Sequence, residues 1–289
     1  MRPPFTERTG HAPGTDLAAL RSMIDSARAA NAWSTDPPAR TIDLDGVRAV
    51  VFSPPDLALR TVRGTVLHFH GGGYGIGCPE MIGPYASALA ARCAVEVVCP
   101  AYRLAPDDPF PAAVNDAWRA WTALRRERAG PIVLAGDSAG GGLAASLTAL
   151  CLAHRQRPAG LVLLSPWLDL SVSSACYDTN AGSDPVFSRA QAERSAAAYL
   201  QGHDPADPLA SRMLAAVAGY PPTFISVGAG EVLHDDSARL YDALRAQAVP
   251  VRISCIAGME HVAVTRGMDR IGAQETFAQM AEFIDGVLD

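Results

Sequence analysis

Residues 131–141 read Pro-Ile-Val-Leu-Ala-Gly-Asp-Ser-Ala-Gly-Gly and contain a G-x-S-x-G pentapeptide centred on Ser138. The apolar run at 131–135 predicts a buried strand, and the Ala- and Leu-rich run at 140–155 predicts a helix. A serine on the sharp turn between such a strand and helix is typical of a nucleophile elbow, which exposes the hydroxyl at the carboxyl end of a sheet. The alternative is a glycine-rich turn in which Ser138 only caps the helix.

Short apolar strands alternate with long helices on both sides of this turn. The strands are predicted at 65–69, 95–99, 131–135, 161–164, 223–227 and 250–256, and the helices at 80–92, 112–129, 140–155, 235–248 and 270–288. A strand hairpin is predicted over 41–52, and a helix capped by Asp16 over 16–31. Strands that are apolar throughout are buried on both faces, so the pattern predicts an α/β fold with a parallel sheet.

Nearly sixty residues separate the strand at 161–164 from the strand at 223–227, which is more than one connection within a sheet needs. This stretch contains turn residues at 180–185 and a short Ala-rich helix at 188–200. It predicts an insertion that covers one end of the sheet. The expected organisation is a main domain of 39–168 and 219–289, a cap insertion of 169–218, and an N-terminal part of the cap at 1–38.

The composition excludes several classes of function. The chain has 289 residues, 49% of them hydrophobic and 19% charged, and a net charge of −6 without a basic cluster, so a nucleic-acid partner is not expected. All 24 basic residues are arginines. Without lysine, the chain cannot form a Schiff base, hold pyridoxal phosphate covalently, act as a Ser–Lys hydrolase or complete a Walker phosphate loop.

The six cysteines form no C-x-x-C pair, and four of them lie inside apolar runs: Cys93, Cys99, Cys151 and Cys255. This favours buried free thiols over disulfides or zinc ligands. The mixed polar segment at the N-terminus does not predict a signal peptide, and no apolar run approaches the roughly 18 residues of a membrane span. A cytoplasmic protein without a membrane span is therefore expected.

A second glycine-rich motif, at residues 70–73, follows directly after the strand at 65–69. Its glycines can leave N–H groups free in a cleft, where they could stabilise a developing oxyanion together with the N–H of Ala139. A flexible loop and a phosphate-binding nest are alternatives. A nest needs a helix immediately after it, whereas residues 74–77 continue the loop, so the pattern favours an oxyanion hole.

Four motifs in this order resemble those of the hormone-sensitive-lipase-like carboxylesterases, over about residue 40 to the C-terminus. They are His70-Gly71-Gly72-Gly73, Tyr102-Arg103-Leu104-Ala105-Pro106 with Phe110-Pro111-Ala112-Ala113, the pentapeptide at 136–140 with Gly141, and Gly258-Met259-Glu260-His261. The resemblance implies an α/β-hydrolase fold with a mostly parallel eight-stranded sheet and a helical cap. It also implies an oxyanion hole of Gly71, Gly72, Gly73 and Ala139, in which the last three donate and Gly71 shapes the loop.

The general base must come from seven histidines. In this fold the chain order is serine, acid, histidine, which excludes the three histidines before Ser138. Of the remaining four, His154, His203 and His234 fall on a helix end, in the cap and on the loop after the strand at 223–227. His261 follows the last strand after a turn at Gly258, at the same sheet edge as Ser138, and is the predicted base.

The acid should lie just after the strand at 223–227, where three carboxylates compete. Asp235 and Asp236 open a predicted helix, and N-capping and the helix dipole already account for them. Glu231 follows three small residues and has no such structural reason, so it is the predicted acid and Asp235 the alternative. The family more often has Asp-Pro-Leu at this point, so the additional methylene of Glu231 must be accommodated by the loop.

These residues predict hydrolysis of short- to medium-chain carboxylic esters by a Ser-His-Glu triad, without a metal or organic cofactor. A lactonase or an amidase could use the same triad, and a non-catalytic small-molecule receptor of the same fold is a further alternative. The resemblance also implies a possible homodimer through the last sheet edge. Four residues are candidates for the acyl pocket or for the core of the cap: Met23, Trp33, Phe187 and Tyr199.

Overall fold

A sheet of eight strands lies at the centre of the computed structural model, which describes residues 16–55, 61–214 and 216–289. The strands are β1 (Arg40–Leu44), β2 (Val47–Phe52), β3 (Thr65–Phe69), β4 (Glu96–Pro100), β5 (Ile132–Asp137), β6 (Gly160–Leu164), β7 (Thr223–Gly228) and β8 (Val251–Ile256). Their spatial order is β1-β2-β4-β3-β5-β6-β7-β8. β2 pairs antiparallel with β1 and β4, and the other neighbours pair parallel, so the predicted mostly parallel eight-stranded sheet is confirmed.

Helices cover both faces of the sheet. They are α1 (Leu17–Ala29), α2 (Gly83–Cys93), α3 (Ala112–Glu127), α4 (Ala139–Ala153), α5 (Cys176–Thr179), α6 (Arg189–Leu200), α7 (His234–Ala246), α8 (Ala263–Arg266) and α9 (Ala273–Leu288). Side chains such as Trp121 of α3 and Leu147 of α4 pack on one face, and Leu89 of α2 and Ile284 of α9 pack on the other. The central strands are apolar because water is excluded from both of their faces.

The parallel register brings the carboxyl ends of four strands to one edge. Asp137 of β5 pairs with Leu164 of β6, and the ladder continues through Ser226 of β7 to β8. The residues that directly follow β5, β6, β7 and β8 therefore emerge side by side. In open parallel sheets this edge is where ligands bind.

The predicted helices and strands agree closely with the structure, since their bounds shift by only a few residues. Asp16 caps α1, because its side chain accepts a hydrogen bond of 3.0 Å from the Ala18 N–H. The short helices α5 and α8 were not predicted from the sequence. Each has four residues, which is too few for a helical period to show.

The prediction of buried thiols is wrong for Cys255, which is exposed, although all six cysteines are free. Cys255 lies on β8, which is the last strand in the sheet order and is partly exposed along its length. β8 also contains Arg252, which is exposed like Cys255, so the run around this cysteine is less apolar than the prediction assumed. Cys93, Cys99 and Cys151 are buried as expected.

Between β6 and β7 the chain leaves the sheet and forms α5, α6 and a single turn of 3-10 helix at Arg212–Leu214. At the other end of the chain, Arg21 of α1 donates to the carbonyls of Gly75 and Ala105. The division into 39–168, 219–289 and cap segments at 1–38 and 169–218 stays a prediction, and residues 1–15 lie outside the described part of the chain. None of the described helices is both long and apolar enough to cross a bilayer.

Candidate active site

Ser138 occupies a strained turn between β5 and α4, with φ of 54° and ψ of −122°. The glycines on either side of it allow backbones to approach closely. A Cβ at Gly140 would lie 2.0 Å from the carbonyl oxygen of Phe69, and a Cβ at Gly136 would lie 2.2 Å from that of Gly140. The G-x-S-x-G spacing is therefore a steric requirement of this turn. Non-glycine residues held at such dihedrals are concentrated at functional sites.

The structure brings Ser138, His261 and Glu231 together in one hydrogen-bonded row. His261 Nε2 lies 2.9 Å from Ser138 Oγ, and His261 Nδ1 lies 2.8 Å from Glu231 Oε2. All three residues are buried, and Ser138 keeps 6% of its surface exposed. A nucleophile, a base and a group that orients the base in this geometry form the arrangement used in acyl transfer.

Each of these residues follows a different strand at the carboxyl edge of the sheet. Ser138 follows β5, Glu231 lies in the turn between β7 and α7, and His261 lies between β8 and α8. Residues separated by 93 and 123 positions from Ser138 become neighbours because parallel strands end at the same edge.

The carboxylate of Glu231 is held at both of its oxygens. Its Oε1 accepts from Ser165 Oγ at 2.8 Å and from the Gly228 N–H, which leaves Oε2 for His261. Ser165 Oγ also accepts from the Val262 N–H at 3.2 Å and so connects the loops that carry the acid and the base. The longer side chain of Glu231 is thus accommodated because its Oε1 is held by Ser165 and Gly228.

Ser165, which directly follows β6, was not predicted as a site residue from the sequence. Its position at the carboxyl end of a parallel strand, next to the strand that precedes Glu231, is the signal that could have identified it. The residue is 1% exposed and has a positive φ of 45°. A buried serine with that backbone is fixed by its surroundings.

The alternative acid, Asp235, faces another part of the protein. Its Oδ2 accepts from Ser174 Oγ at 2.9 Å, and its Oδ1 lies 3.8 Å from His234 Nδ1. Asp236 is fully buried and accepts from the backbone N–H groups of Leu168 and Asp169. Neither aspartate therefore caps α7 with its side chain, because each binds a distant segment, but both lie in the first turn of the helix, where its dipole favours a carboxylate.

The environments of Asp236 and His261 change their acidity in different ways. Burial raises the pKa of Asp236 to about 7. Burial alone would lower the pKa of the His261 imidazole, but the hydrogen bond to Glu231 and the charge of that carboxylate raise it above the ordinary value of 6.5. Glu231 therefore stabilises the protonated form of His261.

The glycine loop at 71–73 lies beside the elbow. A Cβ at Gly71 would lie 2.5 Å from Asp137 Oδ2, and a Cβ at Gly72 would lie 2.1 Å from the carbonyl oxygen of Ile76. Gly72 and Gly73 have positive φ values of 119° and 61°, which favour glycine. Side chains larger than hydrogen are therefore excluded at Gly71 and Gly72. No helix follows at 74–77, in contrast to a phosphate-binding nest.

The first N–H groups of α4 complete the surroundings of Ser138. The helix begins at Ala139, and the N–H of the first residue of a helix has no acceptor within the helix. The assignment of Gly71, Gly72, Gly73 and Ala139 to an oxyanion hole stays a prediction that this geometry fits.

His70 lies away from the catalytic row and supports the glycine loop. Its Nδ1 lies 2.8 Å from the carbonyl oxygen of Gly71, and its ring stacks on Tyr102 with 4.5 Å between the centroids. The hydroxyl of Tyr102 donates to the His70 carbonyl at 2.7 Å. Behind the elbow, His68 Nε2 lies 2.9 Å from Asp137 Oδ1.

The four candidates for the acyl pocket have different surroundings. Phe187 stacks on the His261 ring with 5.6 Å between the centroids and 14° between the planes. Tyr199 is buried and stacks on Tyr74 at 3.9 Å. Trp33 packs in a small cluster with α1, and Met23 is exposed. Of the four, Phe187 is the candidate whose ring stacks on a predicted catalytic residue, His261.

Comparison with known proteins gives the family. The sequence pattern of the family described as the alpha/beta hydrolase fold matches residues 66–265. The chain belongs to the α/β-hydrolase family. An acetyl-hydrolase of Streptomyces hygroscopicus is 41% identical over 201 residues, which cover 68% of this chain and 67% of the relative. An esterase of Acinetobacter venetianus is 32% identical over 227 residues, covering 76% and 73% of the two chains.

Solved structures place this hydrolase near one branch of the family. An esterase from the bacterial hormone-sensitive lipase family superposes with a TM-score of 0.89 at 29% identity, covering 97% of this chain and 95% of the other. The hydrolase is thus a hormone-sensitive-lipase-like member, as the resemblance of its motifs implied.

Proposed function

We propose that the chain is a serine carboxylesterase in which Ser138 is the nucleophile, His261 the base and Glu231 the acid. The observation that carries the proposal is the row of hydrogen bonds of 2.9 Å and 2.8 Å joining these three side chains. Relatives named esterase, carboxylesterase and acetyl-hydrolase support ester hydrolysis. A receptor that only binds a small molecule does not require these hydrogen bonds, so they favour an enzyme over a receptor of the same fold.

The reaction proceeds through an acyl-enzyme. His261 Nε2 takes the proton of Ser138 as Oγ attacks the ester carbonyl, and Glu231 stabilises the imidazolium that forms. The N–H groups of Gly72, Gly73 and Ala139 stabilise the oxyanion, with Gly71 shaping the loop. His261 then protonates the leaving alcohol. Water attacks the acyl-enzyme by the same route in reverse and releases the acid and free Ser138.

The substrate is an ester of a short- or medium-chain acid. Phe187 covers the face of the His261 ring, and Trp167 packs edge-on against Phe187. Helix α6 also approaches the glycine loop, since a Cβ at Gly73 would lie 2.9 Å from Ser195 Oγ. These side chains restrict the space around the nucleophile and disfavour long acyl chains.

Two further proposals concern the setting of the enzyme. All six cysteines are free, which fits a reducing compartment and supports a cytoplasmic location.

β8 ends the sheet order, and an unpaired edge strand offers backbone groups to a second copy. A homodimer through β8 would be detected by sedimentation equilibrium.

A substrate panel tests the proposed reaction. The wild-type protein is assayed with p-nitrophenyl esters of increasing acyl length, with lactones and with anilides, and the Ser138→Ala variant gives the blank. We expect the highest kcat/KM for acetyl to hexanoyl esters. A higher kcat/KM with lactones or with anilides than with esters would mean that the enzyme is a lactonase or an amidase instead.

The pH dependence should follow His261. The imidazole must be neutral to act as a base, so kcat/KM falls as the pH drops through its pKa, which lies above 6.5. In Glu231→Gln the carboxylate charge is removed while burial remains, so the acid limb should move to lower pH. Rate profiles of both proteins between about pH 5 and about pH 9 measure this shift. If the acid limb of the Glu231→Gln profile stayed at the wild-type pH, a group other than His261 would be responsible for it.

Ser165 should act as a positioning residue for Glu231. Ser165→Ala removes a hydrogen bond to a carboxylate, which is worth about 1.5–3 kcal/mol, so kcat should fall about tenfold or more with little change in KM. Ser226→Ala is the matched control, because Ser226 is an equally buried serine that bonds Thr276 instead. Equal effects of both substitutions on kcat would show that Ser165 contributes only to general stability.

A further inference from the structure

A second group of reactive side chains lies outside the catalytic row. Cys176 of α5 and His234 and Asp235 of α7 place a sulfur, a ring nitrogen and a carboxylate oxygen within 4.8 Å of one another. The proposed ester hydrolysis uses none of the three. They come from two segments that are 58 positions apart in the sequence, so the fold itself brings them together.

We propose that Cys176, His234 and Asp235 bind one Zn²⁺ ion, with water as the fourth ligand. Ligands of a tetrahedral zinc ion lie about 2.0–2.3 Å from the metal and therefore about 3.3–3.8 Å from one another. The His234 Nδ1 to Asp235 Oδ1 distance is 3.8 Å. The remaining separations are at most 4.8 Å, so side-chain rotations that move the ligand atoms by about 1 Å would bring them to zinc-ligand spacing.

The donor set selects the metal. A thiolate together with an imidazole favours zinc over magnesium and calcium, which prefer sites made of oxygen ligands. Three protein ligands leave one position for water. The arrangement therefore suits a borderline-soft divalent cation.

Burial gives the site a fixed inner wall and an open outer side. Cys176 is buried, with 8% of its surface exposed, whereas the side chains of His234 and Asp235 are about one third exposed. A metal can therefore enter from solvent beside His234 and Asp235 and reach the thiol behind them. The two outer side chains also have room for the small rotations that coordination needs.

Neighbouring polar groups already orient the site. Ser174 Oγ donates to Asp235 Oδ2 at 2.9 Å and accepts from the Cys176 N–H at 3.1 Å. Asp235 therefore turns its Oδ1 towards His234. Hydrogen bonds of this kind hold ligands in place around a metal and contribute to its affinity.

The site adjoins the loop of the catalytic acid. Asn180, at the end of α5, donates from Nδ2 to the Glu231 carbonyl at 2.8 Å, and the His234 N–H donates to the same carbonyl at 3.2 Å. A zinc ion at Cys176, His234 and Asp235 would join α5 to α7 next to this shared carbonyl. Its binding should therefore stabilise the inserted segment against the sheet domain.

Zinc titration of the metal-free protein tests the proposal. Calorimetry on a Cys255→Ser background, which removes the exposed thiol, should give one Zn²⁺ per chain. Cys176→Ser and His234→Asn on that background should each weaken binding at least tenfold. His203→Asn, which changes a histidine elsewhere in the insertion, should not alter the affinity. At about one hundred times Kd, zinc should raise Tm by roughly 5 °C.

Cobalt gives a readout that does not depend on esterase activity or on the stability of a variant. Co²⁺ bound to the wild-type protein should show a thiolate-to-cobalt absorption band in the near ultraviolet, and Zn²⁺ should displace it. The band should persist in Cys255→Ser. Its absence from Cys255→Ser, or stoichiometric zinc binding that survives both Cys176→Ser and His234→Asn, would overturn the proposal.

Discussion

Replacing His261 by alanine should lower kcat for a p-nitrophenyl ester at least about 10,000-fold, with little change in KM. His261 Nε2 lies 2.9 Å from Ser138 Oγ, and without it no base takes the hydroxyl proton as the nucleophile attacks. The loss falls on kcat because the imidazole acts on the transition state more than on bound ester. Steady-state kinetics on purified, folded variant measure it.

A second histidine provides the control for this substitution. His154 lies at the end of α4, where its ring packs against Trp118 at 4.5 Å. His154→Ala should therefore keep kcat within about twofold, because the His154 ring contacts Trp118 and the Leu150 carbonyl rather than the catalytic row. If His261→Ala kept more than a tenth of the wild-type kcat, His261 could not be the base.

Replacing Glu231 by glutamine should lower kcat about 1,000- to 10,000-fold. Glu231 Oε2 accepts from His261 Nδ1 at 2.8 Å and so fixes the tautomer that leaves Nε2 free to accept a proton. An amide has a similar shape but carries no charge, so it no longer stabilises the imidazolium. Kinetics at a fixed pH, with circular dichroism to verify folding, give the size of the loss.

Asp235→Asn is the matched control for the acid, because it neutralises the competing carboxylate. In a buffer with a metal chelator, this variant should keep kcat within about threefold, since Asp235 binds Ser174 rather than His261. If Asp235→Asn lost more activity than Glu231→Gln, the roles of the two carboxylates would have to be exchanged.

Local patterns were enough to predict much of the fold. Ser138 was predicted from the strand, turn and helix around it, and His261 and Glu231 from their positions after β8 and β7. These inferences work because a buried parallel strand is apolar along its whole length and because such strands end at one edge. The helices with several turns could be predicted for a similar reason, since their apolar period repeats.

Contacts between distant segments could not be predicted in this way. Asp236 was interpreted as a capping residue, whereas it binds the backbone of Leu168 and Asp169, more than sixty positions away. Ser165 bonds Glu231 across a similar separation. In both cases the side chain satisfies buried polar groups that only the folded chain brings near.

Organophosphonate labelling followed by mass spectrometry tests most directly whether Ser138 is activated by His261. Wild-type protein should take up one phosphonate per chain, on Ser138, and uptake should be lost in His261→Ala but retained in His154→Ala. Phosphonate on another residue of the wild-type protein, or undiminished labelling of Ser138 in His261→Ala, would contradict activation of this serine by that histidine.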